Sequence, residues 1–133
     1  MAERLVMPGF LSDPARWIGL FDIFALSSDS EQFPISLIEA MAAGLPAVST
    51  DVGDVANMVA EESKPFVVPV DDEDAFISAL DRLVSDAALR RTIGRANAAR
   101  ALAEYDEASM IAAYARLYGA AIGRPQAFMA GSP

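Results

Sequence analysis

The chain has 133 residues, of which 10 are Lys or Arg and 19 are Asp or Glu, giving a formal net charge of −9. A surface of that sign repels nucleic-acid phosphates and offers no polybasic patch to an anionic membrane. The sequence holds neither Cys nor His, which excludes disulfide scaffolds, thiolate zinc sites and every nucleophilic relay built on an imidazole.

Hydrophobic residues make up 53%, the composition of a globular domain, and the length suits one domain or part of one. No apolar run reaches the ~18 residues of a membrane span. The start, Met1 to Pro8, carries Glu3 and Arg4 and lacks the form of a secretion signal, so the expected location is the cytoplasm.

Apolar runs and helical patterns alternate along the chain. Leu5-Val6-Met7 reads as a first strand. Asp13-Pro14 opens a short helix carrying Ala15, Trp17, Ile18 and Leu20, with Asp as cap and proline in the first turn. Core packing is the better reading for Trp17. Ile23 to Leu26 is a second strand. Pro34 opens a helix from Ile35 to Ala43, which Gly44 stops. Ala47-Val48-Ser49 is a third strand and Val55 to Val59 a short helix. Phe66 to Val70 is a fourth strand, with Pro69 marking its end or an edge position.

Asp71-Asp72-Glu73-Asp74 then suits the positive end of a helix dipole, and Phe76, Ile77, Leu80, Leu83 and Val84 recur at helical spacing. Ala87 to Ala103 and Glu107 to Tyr118 continue as Ala-rich helix, the last with an apolar stripe of Ile111, Tyr114, Leu117 and Tyr118. The tail from Gly123 is expected to fray.

All four strand runs lack polar alternation, as strands buried on both faces of a parallel sheet do. The order therefore predicts an α/β chain: a truncated doubly wound, Rossmann-like parallel sheet of about four strands with flanking helices and a helical C-terminus. Open sheets of this type run to about five or six strands. A truncated one leaves a strand edge open, which a homodimer or a strand-exchanged dimer would cover.

The chemistry concentrates between Ser27 and Pro46. This segment leaves the carboxyl end of a strand, where open α/β sheets bind ligands, and enters a helix near Pro34. Free amides around Ile35 and Ser36 form a ready anion site there. Glu31 and Glu39 stand eight residues apart; on a continuous helix that is ~12 Å and a rotation of ~80°. They cannot act as a tight carboxylate pair. A sugar nucleotide is long enough to meet both, with its phosphates at the helix start and diols at each end.

Ser27, Ser28 and Ser30 have no imidazole base and read as turn and capping residues. The acidic run 71–74 lacks calcium-loop spacing and reads as a solvated helix start. Gly44 reads as a helix cap. Gly53 reads either as a turn glycine or as a ligand contact.

The pattern Glu31-(seven residues)-Glu39-Ala40-Met41-Ala42-Ala43-Gly44-Leu45-Pro46, followed by Ser49-Thr50-Asp51-Val52-Gly53-Asp54, resembles retaining glycosyltransferases of the GT-B fold. More narrowly it is similar to their family 4, also called glycosyltransferase group 1. Val6-Met7-Pro8-Gly9-Phe10, Asp22 to Ser28 and Phe66 to Leu83 are similar to the family's flanking elements. The resemblance runs from Leu5 to Gly119, implying a partial nucleotide-sugar-binding domain over 5–119 and a flexible tail over 120–133.

The resemblance implies a nucleotide diphosphate sugar as substrate, with no cofactor and no metal. It implies that Glu31, the catalytic candidate, contacts the donor sugar's hydroxyls, that the backbone at Phe33, Ile35 and Ser36 holds the distal phosphate, with Gln32 and Pro34 in the same donor-binding segment, and that Glu39 binds the ribose. Gly9 and Phe10 would lie near the nucleobase. Two positions depart from the family pattern: Gln32 stands where Gly is common, and Asp54 replaces the second glycine of Thr-x-x-Gly-Gly. The resemblance further implies that the acceptor domain, and the first βα units with their basic pair, are not in this chain, so the expectation is a donor-binding portion inactive alone. The second reading is a non-catalytic dimeric interaction module.

Overall fold

The computed structural model describes residues 4–128. Among them, helix α1 (Ala15–Ile18), strand β1 (Phe24–Leu26), helix α2 (Ile35–Ala42), strand β2 (Ala47–Thr50) and helix α3 (Val55–Met58) follow in order. A 3-10 helix (Glu61–Phe66), strand β3 (Val67–Val68) and helices α4 (Glu73–Ser85), α5 (Ala87–Glu104) and α6 (Glu107–Ala121) complete them. The strands form one parallel sheet in the order β1-β2-β3. Phe24 pairs with Ala47 and Leu26 with Ser49; Ser49 and Thr50 pair with Val67 and Val68. The chain is thus an α/β protein with a parallel sheet, flanking helices and a helical C-terminus, as its alternating pattern predicts.

β2 sets the layering because all four of its residues are buried. Ala47 faces Leu37 and Met41 of α2, Val55 and Met58 of α3, and Ala101 of α5. Val48 points the other way, into Phe66, Val68, Ala79 and Leu83 of α4, and Ile93 of α5. One helix, α5, therefore serves both cores. Leu37, Met41, Leu83 and Ile93 are fully enclosed, and each such side chain stabilises the fold by about 1.5–3 kcal/mol.

Asn97 of α5 ties this helix down. Its amide donates to the Leu45 carbonyl at 2.9 Å, and its oxygen accepts from the Ala60 N–H at 3.3 Å and the Ser63 hydroxyl at 2.7 Å. The last three helices open on aspartate caps. Asp72, Asp86 and Asp106 accept from the amides of Ala75, Leu89 and Ser109. Each satisfies a donor that the helix itself leaves unpaired.

The structure corrects the sequence reading at the first strand. Leu5, Val6 and Met7 form no strand; they are irregular and exposed. A strand holds only when a ladder partner meets it. Here the run is short, Pro8 lacks a donor, and Gly9 turns the chain away at φ +75°. The sheet consequently has three strands, and β1 is an edge whose Ala25 is exposed. The fourth predicted strand shortens to Val67–Val68, with Pro69 directly after it and Phe66 closing the 3-10 helix. Trp17 is 49% exposed rather than in the core, because one-turn α1 buries Ile18 instead.

At the other end, α6 continues to Ala121, and the Arg124 amide bonds back to the Gly119 carbonyl at 2.8 Å. No helix of the described residues is long and apolar enough to cross a membrane.

Candidate functional site

The loop from Ser27 to Pro34 leaves the carboxyl end of β1 and carries Glu31, which is partly buried. The Ser28 hydroxyl donates to the Glu31 carboxylate at 2.8 Å, which holds the side chain against its own loop. Pro34, in extended conformation at φ −68° and ψ 110°, turns the chain into α2. The Leu37 amide bonds to the Pro34 carbonyl at 3.1 Å, while the amides of Phe33, Ile35 and Ser36 donate to no described residue. These are the orphan donors of a helix start, at the positive end of the α2 dipole. Their side chains are exposed, as is that of Gln32, whereas Pro34 is buried.

Glu39 lies in the second turn of α2 and is partly buried. Glu31, Gln32, Phe33 and Pro34 thus lie on the loop into α2, Ile35 and Ser36 in its first turn, and Glu39 one turn further along. No non-glycine among the described residues has positive φ. Gln32 thus occupies a position where Gly is common in an ordinary backbone conformation.

Gly9 and Phe10 are not joined to this cluster by any hydrogen bond among the described residues. Nothing lies within 4 Å of the point where a Gly9 Cβ would sit, and Phe10 is 94% exposed.

Three contacts around the cluster escape simple motif reading. The Thr50 hydroxyl, at the end of β2, donates to the Ser28 carbonyl at 2.6 Å. The Asp54 amide donates to the Gln32 carbonyl at 3.0 Å. Tyr105 meets the Phe33 ring edge-on, with centroids 5.8 Å apart, and its hydroxyl donates to the Met58 carbonyl at 3.1 Å. An aromatic closing an Ala-rich helix, one residue before the Asp106 cap, was the available signal for Tyr105. Gly53, at φ +53°, lies against the Glu31 loop as a turn glycine would, and a Cβ there would stand 2.4 Å from the Gln32 carbonyl oxygen.

Electrostatics bound what the site can hold. Between Arg16 and Lys64 the sequence has no Lys or Arg, so an anion at the α2 start meets amides and a dipole from this segment, and no side-chain cation. A cavity of about 480 Å³ borders the start of this loop on the α4 side, between Ser27, Thr50 and Asp71-Asp72-Glu73. Its carboxylates make it unsuited to a phosphate. Among the described residues no group of three or more His, Cys, Asp or Glu side chains could hold a metal ion.

The family model described as glycosyl transferases group 1 matches residues 1–86. The chain belongs to the group 1 glycosyltransferases. This family uses nucleotide sugars as substrates. The chain is 30% identical over 89 residues to a UDP-Gal:alpha-D-GlcNAc-diphosphoundecaprenol alpha-1,3-galactosyltransferase of Escherichia coli, covering 67% of this chain and 23% of the relative. It is 29% identical over 116 residues to a D-inositol 3-phosphate glycosyltransferase of Jonesia denitrificans, covering 85% and 27%.

Among solved structures, sucrose-phosphate synthase from Thermosynechococcus elongatus superposes with a TM-score of 0.77 at 27% identity, over 83% of this chain and 28% of that one. This group 1 glycosyltransferase chain thus carries the GT-B type of α/β architecture and spans about a quarter of the length of these relatives.

Proposed function

We propose that the chain is the donor-binding portion of a retaining glycosyltransferase, taking a nucleotide diphosphate sugar at the start of α2. The observation that carries this reading is the cluster itself: three unpartnered amides, of Phe33, Ile35 and Ser36, stand between a carboxylate before the helix and another one turn inside it. The amides suit the distal phosphate. Glu39 suits a ribose diol and Glu31 the sugar hydroxyls, each as a two-oxygen acceptor.

In this reading Glu31 fixes the sugar and stabilises developing positive charge at its anomeric carbon. The anomeric C–O bond to the phosphate breaks, the acceptor oxygen bonds to that carbon on the same face, and the acceptor's proton passes to the departing phosphate. The segment between Arg16 and Lys64 offers no cation for the leaving diphosphate, so in this reading its neutralisation comes from outside that segment, and the chain alone is inactive. Gly9 and Phe10 take the nucleobase only if the segment 5–11 folds in around it. Titration with UDP, GDP and ADP, with Glu39→Gln as control, tests the reading.

One observation favours a dimeric module as well. Met110, Ile111, Tyr114, Leu117, Tyr118 and Ile122 of α6 and its cap are all more than half exposed, and the Tyr114 and Tyr118 rings stack. We infer that a second copy of this chain covers this stripe, giving a cytoplasmic homodimer whose nucleotide site is unaffected.

A further inference from the structure

We propose that Thr50, with Gly53 beside it, is a positioning residue: its hydroxyl clasps the loop carrying Glu31 and sets where that carboxylate stands. This rests on the donor-binding reading for what Glu31 does, but the clasp itself can be tested without it.

The loop leaves an edge strand and is packed only at its far end, where Pro34 is buried and Phe33 meets Tyr105. Asp29, Ser30, Gln32 and Phe33 are exposed, and Glu31's own side chain bonds only within the loop, to Ser28. Its hydrogen-bonded anchors come from the end of the neighbouring strand and the turn that follows it. Thr50 is buried at the last position of β2. Its hydroxyl donates to the Ser28 carbonyl at 2.6 Å, with a weaker approach to the Leu26 carbonyl at 3.5 Å. Ser28 is the residue whose own hydroxyl holds Glu31. Thr50 therefore acts on the carboxylate through one intermediary.

Four residues on, the Asp54 amide takes the Gln32 carbonyl at 3.0 Å. Gly53 makes this second bond possible. A Cβ there would stand 2.4 Å from the Gln32 oxygen and 2.6 Å from the Glu31 oxygen, so any side chain pushes the loop away, and φ +53° is itself a region that disfavours other residues. The two bonds bracket Glu31, one on each side in sequence. Loop and clasp arise from the paired strands β1 and β2, whose register sets Leu26 opposite Ser49.

Thr50→Val keeps the shape and removes the donor, and Thr50→Ser restores it. Gly53→Ala attacks the same loop while leaving the hydroxyl in place. The Asp54 amide reports the clasp directly, since its bond lies within it. The expected result is about tenfold faster hydrogen exchange at Asp54 in Thr50→Val and Gly53→Ala, the scale of one lost hydrogen bond. Thr50→Ser should stay near the parent, as should the Ala75 and Leu89 amides of α4 and α5. Unchanged exchange at Asp54 in both disabling variants overturns the clasp.

The second readout is calorimetric, with UDP-galactose and UDP. Thr50→Val should remove most of the affinity difference between the two, as Glu31→Gln does, while leaving UDP binding intact. If Thr50→Val retains the full difference that Glu31→Gln abolishes, the positioning role is wrong. If the parent protein shows no difference between the two ligands, the donor-sugar role of Glu31 fails and the exchange result alone decides the clasp.

Discussion

Gly94 of α5 lies so close to Gly44 that a Cβ on it would stand 2.0 Å from the Gly44 carbonyl oxygen. Gly44, at φ +77°, ends α2 and turns the chain into β2. The contact therefore fixes the long helix α5 against the turn that separates the candidate site's helix from the central strand. Three residues further along α5, Asn97 bonds to Leu45. Gly94→Ala should lower stability by about 1–3 kcal/mol, since backbone on both sides leaves nothing flexible to yield. A shift in urea midpoint with unchanged slope checks it.

Asn97→Ala attacks the same junction by a different route. It strands a buried carbonyl, a buried amide and a buried hydroxyl, from Leu45, Ala60 and Ser63. Unsatisfied groups of that kind make a loss of roughly 2–4 kcal/mol the expected outcome. The same denaturant titration measures it, and a midpoint equal to the parent's would show that water replaces the side chain.

How much of this was legible beforehand divides along physical lines. β2, α2 and the helices from α4 onward were readable because local chemistry and burial agree there: Pro34 and Gly44 bound α2, and an aspartate precedes each later helix. Leu5-Val6-Met7 misled because an apolar run states only that a segment seeks burial; whether it becomes a strand depends on a neighbour that local sequence does not specify. The Glu31–Glu39 frame could be read from spacing. The Thr50–Ser28 bond could not, since it joins residues 22 apart, and Tyr105 meets Phe33 across an even longer stretch of chain.

Asp106 gives the pH dependence. Its carboxyl is held below the ordinary carboxylate value, first by the Ser109 side chain and then by the Ser109 amide, both donating to it. A carboxylate depressed in the folded state adds stability above its unfolded pKa, and that stability is lost as pH falls through the folded pKa. Asp106→Ala should therefore fray α6 at neutral pH, with lower helical ellipticity than the parent. The difference should vanish once acid protonates Asp106 in the parent. A gap that persists unchanged into acid would place the effect elsewhere.

The α6 stripe makes its own prediction. Light scattering at micromolar concentration should give twice the chain mass, and Tyr114→Glu with Leu117→Glu should return the monomer, because charge on a desolvated apolar face opposes association. A monomeric parent protein removes the homodimer from the account and leaves the nucleotide site untouched.

The central claim is the nucleotide site at the start of α2, and calorimetric titration of UDP, GDP and ADP into the purified chain tests it most directly. The account predicts saturable binding of one of the three, weakened roughly 10–100-fold by Glu39→Gln, the scale of a lost charged hydrogen bond, with the variant folded as the parent. Absence of binding up to millimolar nucleotide, or equal affinity in the parent and Glu39→Gln, would contradict it.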